Sequence, residues 1–266
     1  MPGNPLYVLK VNLNEPVRAL TGITPEKRIE YDVEFAMRRL DEAEQRAAVG
    51  ALDAVTSAML ERRFKASSGK ARKAIDGMMQ TNAVRAAELN MILAAGLTAH
   101  ASVIGAMMDE KAGWRAQLQG IEYAVKHVLG AAGPGDLFKV GKNATVQQLA
   151  SIARRISARK SGIQAKVSEA SRKTGVSGVV NDSIEEWLVG EAEAFLSASA
   201  EHYATAQLEM DSNTNDKVYV TLLTSLSATV QADVHARAAL RVHDDSVAGA
   251  TARARAQGSG AAGVLW

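Results

Sequence analysis

The chain has 266 residues, of which 47% are hydrophobic and 23% are charged, and its 31 basic and 29 acidic side chains give a formal net charge of +2. This composition is typical of a globular protein and excludes a largely disordered chain. There is no cysteine, which excludes disulfide bonds and thiolate metal ligands. The first residues lack the basic start, apolar core and small-residue cleavage site of a secretory signal, so we expect synthesis in the cytosol.

The first patterned segment lies within residues 5–20. Its apolar side chains alternate with polar ones at Tyr7, Leu9, Val11 and Leu13. Alternation with a period of two is typical of a half-buried strand. No second strand pattern accompanies it, so the strand would have no partner.

Residues 24–64 have the features of helical structure. Thr24 is a suitable N-cap and Pro25 suits the first helical position. Apolar residues then recur every three or four positions, at Ile29, Val33, Phe35, Ala36, Leu40 and Ala43. This spacing predicts a helix with one buried face.

A basic run without any acid occupies residues 62–73. Such a run is usually a solvated helix end, but it also suits an anionic membrane surface, a nucleic-acid backbone or a nuclear-import signal. Phe64 is the only aromatic residue nearby, so we expect attraction to phosphate without sequence readout. The candidate binding residues are Arg62, Arg63, Lys65, Lys70, Arg72 and Lys73.

The most apolar stretch, residues 91–108, is just long enough to cross a membrane. Thr98, His100 and Ser102 interrupt it, and seven of its 18 residues are Ala or Gly. We therefore predict a fully buried helix of a bundle, in which small residues allow neighbouring helices to approach closely.

The second half of the chain follows a Pro-Gly break within residues 130–143. Beyond it, three helical stretches are predicted at about 144–174, 180–211 and 215–256. The sequence thus predicts an all-α protein of two helical-bundle domains, residues 1–133 and 144–266, joined by a linker at 134–143.

Two blocks of opposite charge follow the predicted linker. Residues 139–174 carry nine Lys or Arg and one acid, whereas residues 181–216 carry nine acids and no Lys or Arg. Two interpretations stay open: adjacent helices neutralise each other within one domain, or the blocks meet between copies and drive head-to-tail assembly. The candidate assembly residues are Arg154, Arg155, Arg159, Lys160, Glu185, Glu186, Glu191 and Glu193.

No catalytic motif is recognisable. The histidines at 100, 127, 202, 235 and 243 have no metal-binding spacing, and neither a phosphate-binding loop nor a nucleophile elbow is present. The paired glutamates near residue 190 are interpreted as a solvated helix face. We expect no enzyme activity, no cofactor and no metal.

The opening segment resembles the start of the matrix proteins of orthomyxoviruses, the influenza-type viruses. The shared positions, at the same spacing, are Tyr7, Val8, Leu9, Val11, Pro16, Val17, Arg18 and Ala19. Residues 94–113, after the basic run, resemble the family's small, Ala-Gly-rich buried helix, and residues 214–239 resemble its Ala- and Thr-rich C-terminal helix. The length suits the thogotovirus branch.

The chain also departs from this family. Influenza matrix proteins carry a Cys-Cys-His-His cluster, and this chain has no cysteine, so zinc binding is not transferred. The family begins with a short helix, and a strand without a partner would leave backbone donors unpaired. For both reasons we expect a helix, not a strand, at residues 5–13.

The resemblance implies a viral matrix protein. Such a protein polymerises as a helical or sheet-like layer beneath the virion envelope, binds anionic membrane, and links it to the ribonucleoprotein, or its RNA, without sequence specificity during assembly and budding. The implied locations are the virion, the host cytoplasm and the inner face of the plasma membrane, with a nuclear phase left open. Two alternatives are a pore-forming or membrane-remodelling protein that inserts residues 86–108, and a phage or filament subunit.

Overall fold

The computed structural model describes residues 24–110, 112–131, 137–176, 183–210 and 214–261. These residues form eight helices and no strand, so the predicted all-α fold class is confirmed for them. The alternating segment at residues 5–13 lies outside the described residues. In chain order the helices are α1 (Pro25–Ala48), α2 (Ala54–Met78), α3 (Ala83–Glu110), α4 (Ala112–Ala131), α5 (Leu137–Lys142), α6 (Val146–Val176), α7 (Ser183–Glu209) and α8 (Asn215–Ala261).

Helix α1 begins as the sequence predicts. The backbone of Thr24 is extended, and its hydroxyl oxygen accepts a hydrogen bond of 3.2 Å from the backbone N–H of Lys27, while Pro25 follows at the first helical position. The predicted apolar face, from Ile29 to Ala43, is buried. The hydrophobic period therefore identifies the side of α1 that faces the core.

The stretch 24–64 is divided into two helices at Gly50. Gly50 has a φ of +66°, and its N–H donates to the carbonyl of Ala47, while the N–H of Ala51 donates to that of Arg46. These two bonds form a Schellman motif, which ends α1 and needs a left-handed residue. Asp53 then caps α2, since its side chain accepts a bond of 2.7 Å from the N–H of Thr56.

Helix α3 lies at the centre of the described fold. It is long and apolar enough to cross a membrane by length and composition, with a mean hydropathy of 1.7 in its most apolar window, but 61% of that window is buried inside the protein. Helix α3 is therefore a helix of the bundle as predicted, but it is not fully buried, because Thr98 and Ser102 are exposed. Gly96 shows why small residues are used here: an added Cβ would lie 2.5 Å from the Met37 sulfur of α1.

The second half of the chain contains three long helices, α6, α7 and α8, and the first two pack against α8. Their bounds lie within a few residues of the predicted stretches, and α8 packs along α6 and α7 and also against α3. The fully buried Tyr219 joins α8 to α3, because its hydroxyl donates a hydrogen bond of 3.2 Å to the carbonyl of Val84. Polar contacts of this kind orient α8 on the first half of the chain.

The division into two domains is not confirmed. One cluster of buried apolar residues extends from Ile29 to Val242 and includes both sides of the predicted linker. The described part of that linker contains α5, which packs on α8 so closely that a Cβ at Gly141 would lie 2.9 Å from the Cα of Asp216. The boundaries 1–133 and 144–266 stay a prediction.

Candidate functional site

The six bases of residues 62–73 all lie on α2. The buried positions Phe64, Ser68 and Ala71 face the core, and the bases occupy the remaining surface of the helix. We call this surface the basic face; it consists of Arg62, Arg63, Lys65, Lys70, Arg72 and Lys73.

The members of the basic face differ in their partners. Lys70 contacts the buried carboxylate of Asp32 on α1 at 2.7 Å, and Lys65 contacts Glu61 at 2.5 Å on the helix surface. Arg62 and Lys73 are exposed and form no ion pair with any described residue. The two free cations lie three helical turns apart on one side of α2, which makes them the most available to an anionic partner.

The structure adds two residues of α4 that the sequence reasoning missed. Tyr123 is 70% exposed, and it lines an open cleft with His127, Lys65 and Arg72. Phe64, the aromatic residue that the sequence suggested, is fully buried. Tyr123 and His127 are some fifty positions from the basic face along the chain. Their proximity to it depends on how α2 packs on α4, which a single sequence does not show.

The bases of α6 that form ion pairs do so mainly with acids on helices other than α7. Arg155 binds both carboxylate oxygens of Glu88 on α3, at 2.7 and 2.5 Å, and Glu88 is only 1% exposed. Lys166 contacts Asp233 of α8 at 2.6 Å. In contrast, Arg154 and Arg159 are exposed, and neither forms an ion pair with any described residue.

The acidic block of α7 also divides into buried and exposed members. Glu185 is buried and contacts Thr174 and His243, each at 2.9 Å. Glu186 and Glu193 are exposed, and Glu191 is half-buried. Within the described residues no ion pair joins α6 to α7, so the interpretation of direct neutralisation between these two helices lacks support.

Lys160 has a different environment from the other bases of its block. It is half-buried, and its ammonium lies 5.5 Å from the ring centroid of Tyr203 on α7. A cation over an aromatic ring at this distance is attracted by the ring's quadrupole. Lys160 therefore contributes to the contact between α6 and α7.

A buried ionic network joins α8 to α1 and α3. The Nδ1 of the fully buried His100 lies 2.6 Å from Oε1 of Glu44, whose Oε2 accepts a bond of 3.1 Å from Arg241. Arg241 and Arg237 both donate to the carboxylate of Asp41. Burial raises the pKa of Asp41, but the nearby charges of His100, Arg241 and Arg237 outweigh it and lower that pKa below its usual value.

This network supplies three groups of the kind that bind metals. Ligand atoms of Asp41, Glu44 and His100 lie within 4.8 Å of one another. However, Arg237 and Arg241 already occupy the carboxylates and bring two positive charges to the same place. A divalent cation would have to displace both guanidinium groups, so the geometry favours an ion network that fastens helices together.

No family model, curated protein or solved structure matches this chain. The resemblance of residues 7–19, 94–113 and 214–239 to orthomyxovirus matrix proteins is therefore an untested prediction.

Proposed function

We propose that this chain is a matrix-type structural protein, which binds anionic membrane through the basic face and assembles with copies of itself. The observation that carries the proposal is the exposed surface of α2, on which Arg62 and Lys73 have no ion partner among the described residues. Exposed bases of this kind are attracted to acidic lipid head groups, each adding affinity that salt weakens.

Self-assembly is the second part of this proposal. The exposed Arg154 and Arg159 of α6 and the exposed Glu186 and Glu193 of α7 are opposite charges available to a neighbouring copy. Head-to-tail pairing between such surfaces repeats without closing and produces a filament or a layer. The proposed sites of action are the inner face of the plasma membrane, the cytoplasm and the virion beneath its envelope.

Vesicle flotation tests the membrane contact. We expect Arg62→Ala with Lys73→Ala to lower binding to phosphatidylserine vesicles about tenfold or more, because two exposed bases are lost. Lys70 is left in place, because its removal would strand the buried carboxylate of Asp32. Arg28→Ala with Lys217→Ala is the matched control, since it removes the same charge from two exposed positions that belong to neither proposed surface.

Equal flotation of the α2 variant and the wild type would contradict the proposed membrane contact. A dye-leakage measurement on the same vesicles distinguishes the alternative of a pore-forming protein. That alternative is favoured by the length and apolarity of α3, which would have to leave the core before it could insert. Binding without leakage is the result expected of a matrix protein.

A further inference from the structure

The cleft between α2 and α4 has the size and lining of a small binding site. It has a volume of about 530 Å³, and it is open to solvent. Pockets for small ligands usually have volumes of roughly 300 to 1,000 Å³. The cleft is lined by Lys65, Ser68, Gly69, Arg72, Tyr123 and His127.

One wall of the cleft presents an aromatic ring. Tyr123 is 70% exposed and lies one helical turn before His127, so both rings belong to the same side of α4. A large ring that is left this exposed offers a flat apolar surface to a planar ligand.

The opposite wall presents cations. Arg72 is half-buried, and its Nη1 donates a hydrogen bond of 3.3 Å to the carbonyl of Val128, which holds the guanidinium at the cleft. Lys65 forms a surface ion pair with Glu61, and pairs of this exposure contribute little to stability. A phosphate group could therefore replace Glu61 as the partner of Lys65, and no acid is among the residues that line the cleft.

The floor of the cleft depends on a glycine. Gly69 lies in the middle of α2, and a Cβ built there would meet no atom within 4 Å. The fold therefore does not require glycine at this position for packing, but its missing side chain keeps the cleft open.

We propose that this cleft binds one nucleotide of a single-stranded nucleic acid, with its base stacked on Tyr123 and its phosphate held by Arg72 and Lys65. A concave site with an exposed ring favours a nucleotide, because a single nucleotide can enter the cleft. A lipid head group is held in a flat bilayer, which contacts convex protein surfaces. Stacking tolerates any base, which agrees with binding that has no sequence preference. The inference rests on the proposed function, because it adds a nucleic-acid contact to a matrix-type protein at the edge of the same basic face.

The test measures fluorescence anisotropy of an end-labelled oligouridine with the full chain over a range of salt concentrations. Tyr123→Ala should weaken binding about tenfold and leave the salt slope unchanged, because stacking releases no counterions. Tyr123→Phe should bind like the wild type. Lys65→Ala should reduce the salt slope by about 0.7 for the lost phosphate contact.

A second pair of variants separates the cleft from the helix surface. Gly69→Gln should weaken binding by filling the cleft, whereas Gly77→Gln should not, although its Cβ also meets no atom within 4 Å on the same helix. Thermal unfolding of each variant shows that the fold is retained.

Three results would overturn the inference. If Tyr123→Ala and Gly69→Gln bind oligouridine as tightly as the wild type while salt-dependent vesicle binding persists, the cleft is not a nucleotide site, and the proposed function stands. If Tyr123→Ala instead weakens only vesicle flotation, the ring contacts membrane. If the wild type binds neither oligouridine nor anionic vesicles, both the inference and the proposed function fail.

Discussion

Single buried residues make the stability of this fold sensitive to pH, and His235 is the clearest case. It is 1% exposed, lies against the rings of Trp187 and Phe195, and its Nδ1 is 2.9 Å from the carbonyl of Gln231. Burial lowers the pKa of His235 below its usual 6.5, and the charge of His100 acts in the same direction. The acids Glu191 and Glu44 oppose this shift without reversing it.

A lowered histidine pKa has a defined consequence for unfolding. Below about pH 6.5 the unfolded chain binds a proton at residue 235 that the folded chain does not, so the free energy of unfolding falls as the pH falls. The limiting slope for one group is about 1.4 kcal/mol per pH unit. Asp41, with its own lowered pKa, loses its stabilising contribution only at more acid pH, near and below its usual 3.8.

We therefore expect His235→Leu and His235→Gln to flatten the dependence of unfolding free energy on pH as the pH falls below about 6.5, relative to the wild type. Urea unfolding at several pH values measures this slope. The two variants differ in polarity, and neither titrates in this range. An unchanged slope in both would show that another group causes the pH dependence in this range.

At the scale of the elements, the junction of α1 and α2 can be tested through Gly50. Its φ of +66° is a conformation that side chains with a Cβ rarely adopt, so we expect Gly50→Ala to destabilise the protein by about 1 kcal/mol. Gly69→Ala, in the interior of α2 with open space around it, is the matched control and should stabilise by up to about 1 kcal/mol. If Gly50→Ala and Gly69→Ala change the free energy of unfolding in urea equally, the Schellman motif contributes nothing to stability.

The elements also show which parts of the fold the sequence could predict. The start of α1 and the burial of α3 depend on local caps and on hydrophobic spacing, and both were predictable. The end of α1 had a local signal too, a glycine at 50 followed by the N-cap Asp53.

Other features depend on contacts between distant parts of the chain, and these were not predictable. Arg155 is 67 positions from its partner Glu88, and Tyr123 reaches the basic face only because α4 packs on α2. The sequence patterns indicated which residues carry charge, but not which of those charges are already paired. That distinction needs the tertiary packing, and it changes which residues are suitable for mutation.

For the whole molecule, the charges of α6 and α7 have two separate roles. Arg155 and Glu185 have partners within the chain, whereas Arg154, Arg159 and Glu186 point to solvent without ion pairs to described residues. Reversal of Arg155 would place a second carboxylate beside the buried Glu88 and is expected to unfold the protein. An experiment on assembly must therefore change the exposed charges only.

We expect Arg154→Glu with Arg159→Glu to leave a folded protein that no longer assembles at moderate salt, because like charges then face each other across the interface. Assembly of the wild type should weaken as salt rises, since exposed charges are screened over roughly 8 Å at physiological ionic strength. Sedimentation velocity measures the assembly state, and circular dichroism measures the fold.

The complementary change makes this prediction specific to a contact between α6 and α7. Glu186→Lys with Glu193→Lys should also abolish assembly alone, but a mixture of the two reversed proteins should form joint polymers, because each restores opposite charge for the other. Both pairs of sites are exposed, so neither change removes a buried contact. If the mixture stays monomeric while each protein is folded, these two surfaces do not meet between copies, and the interface that builds the layer must use other helices.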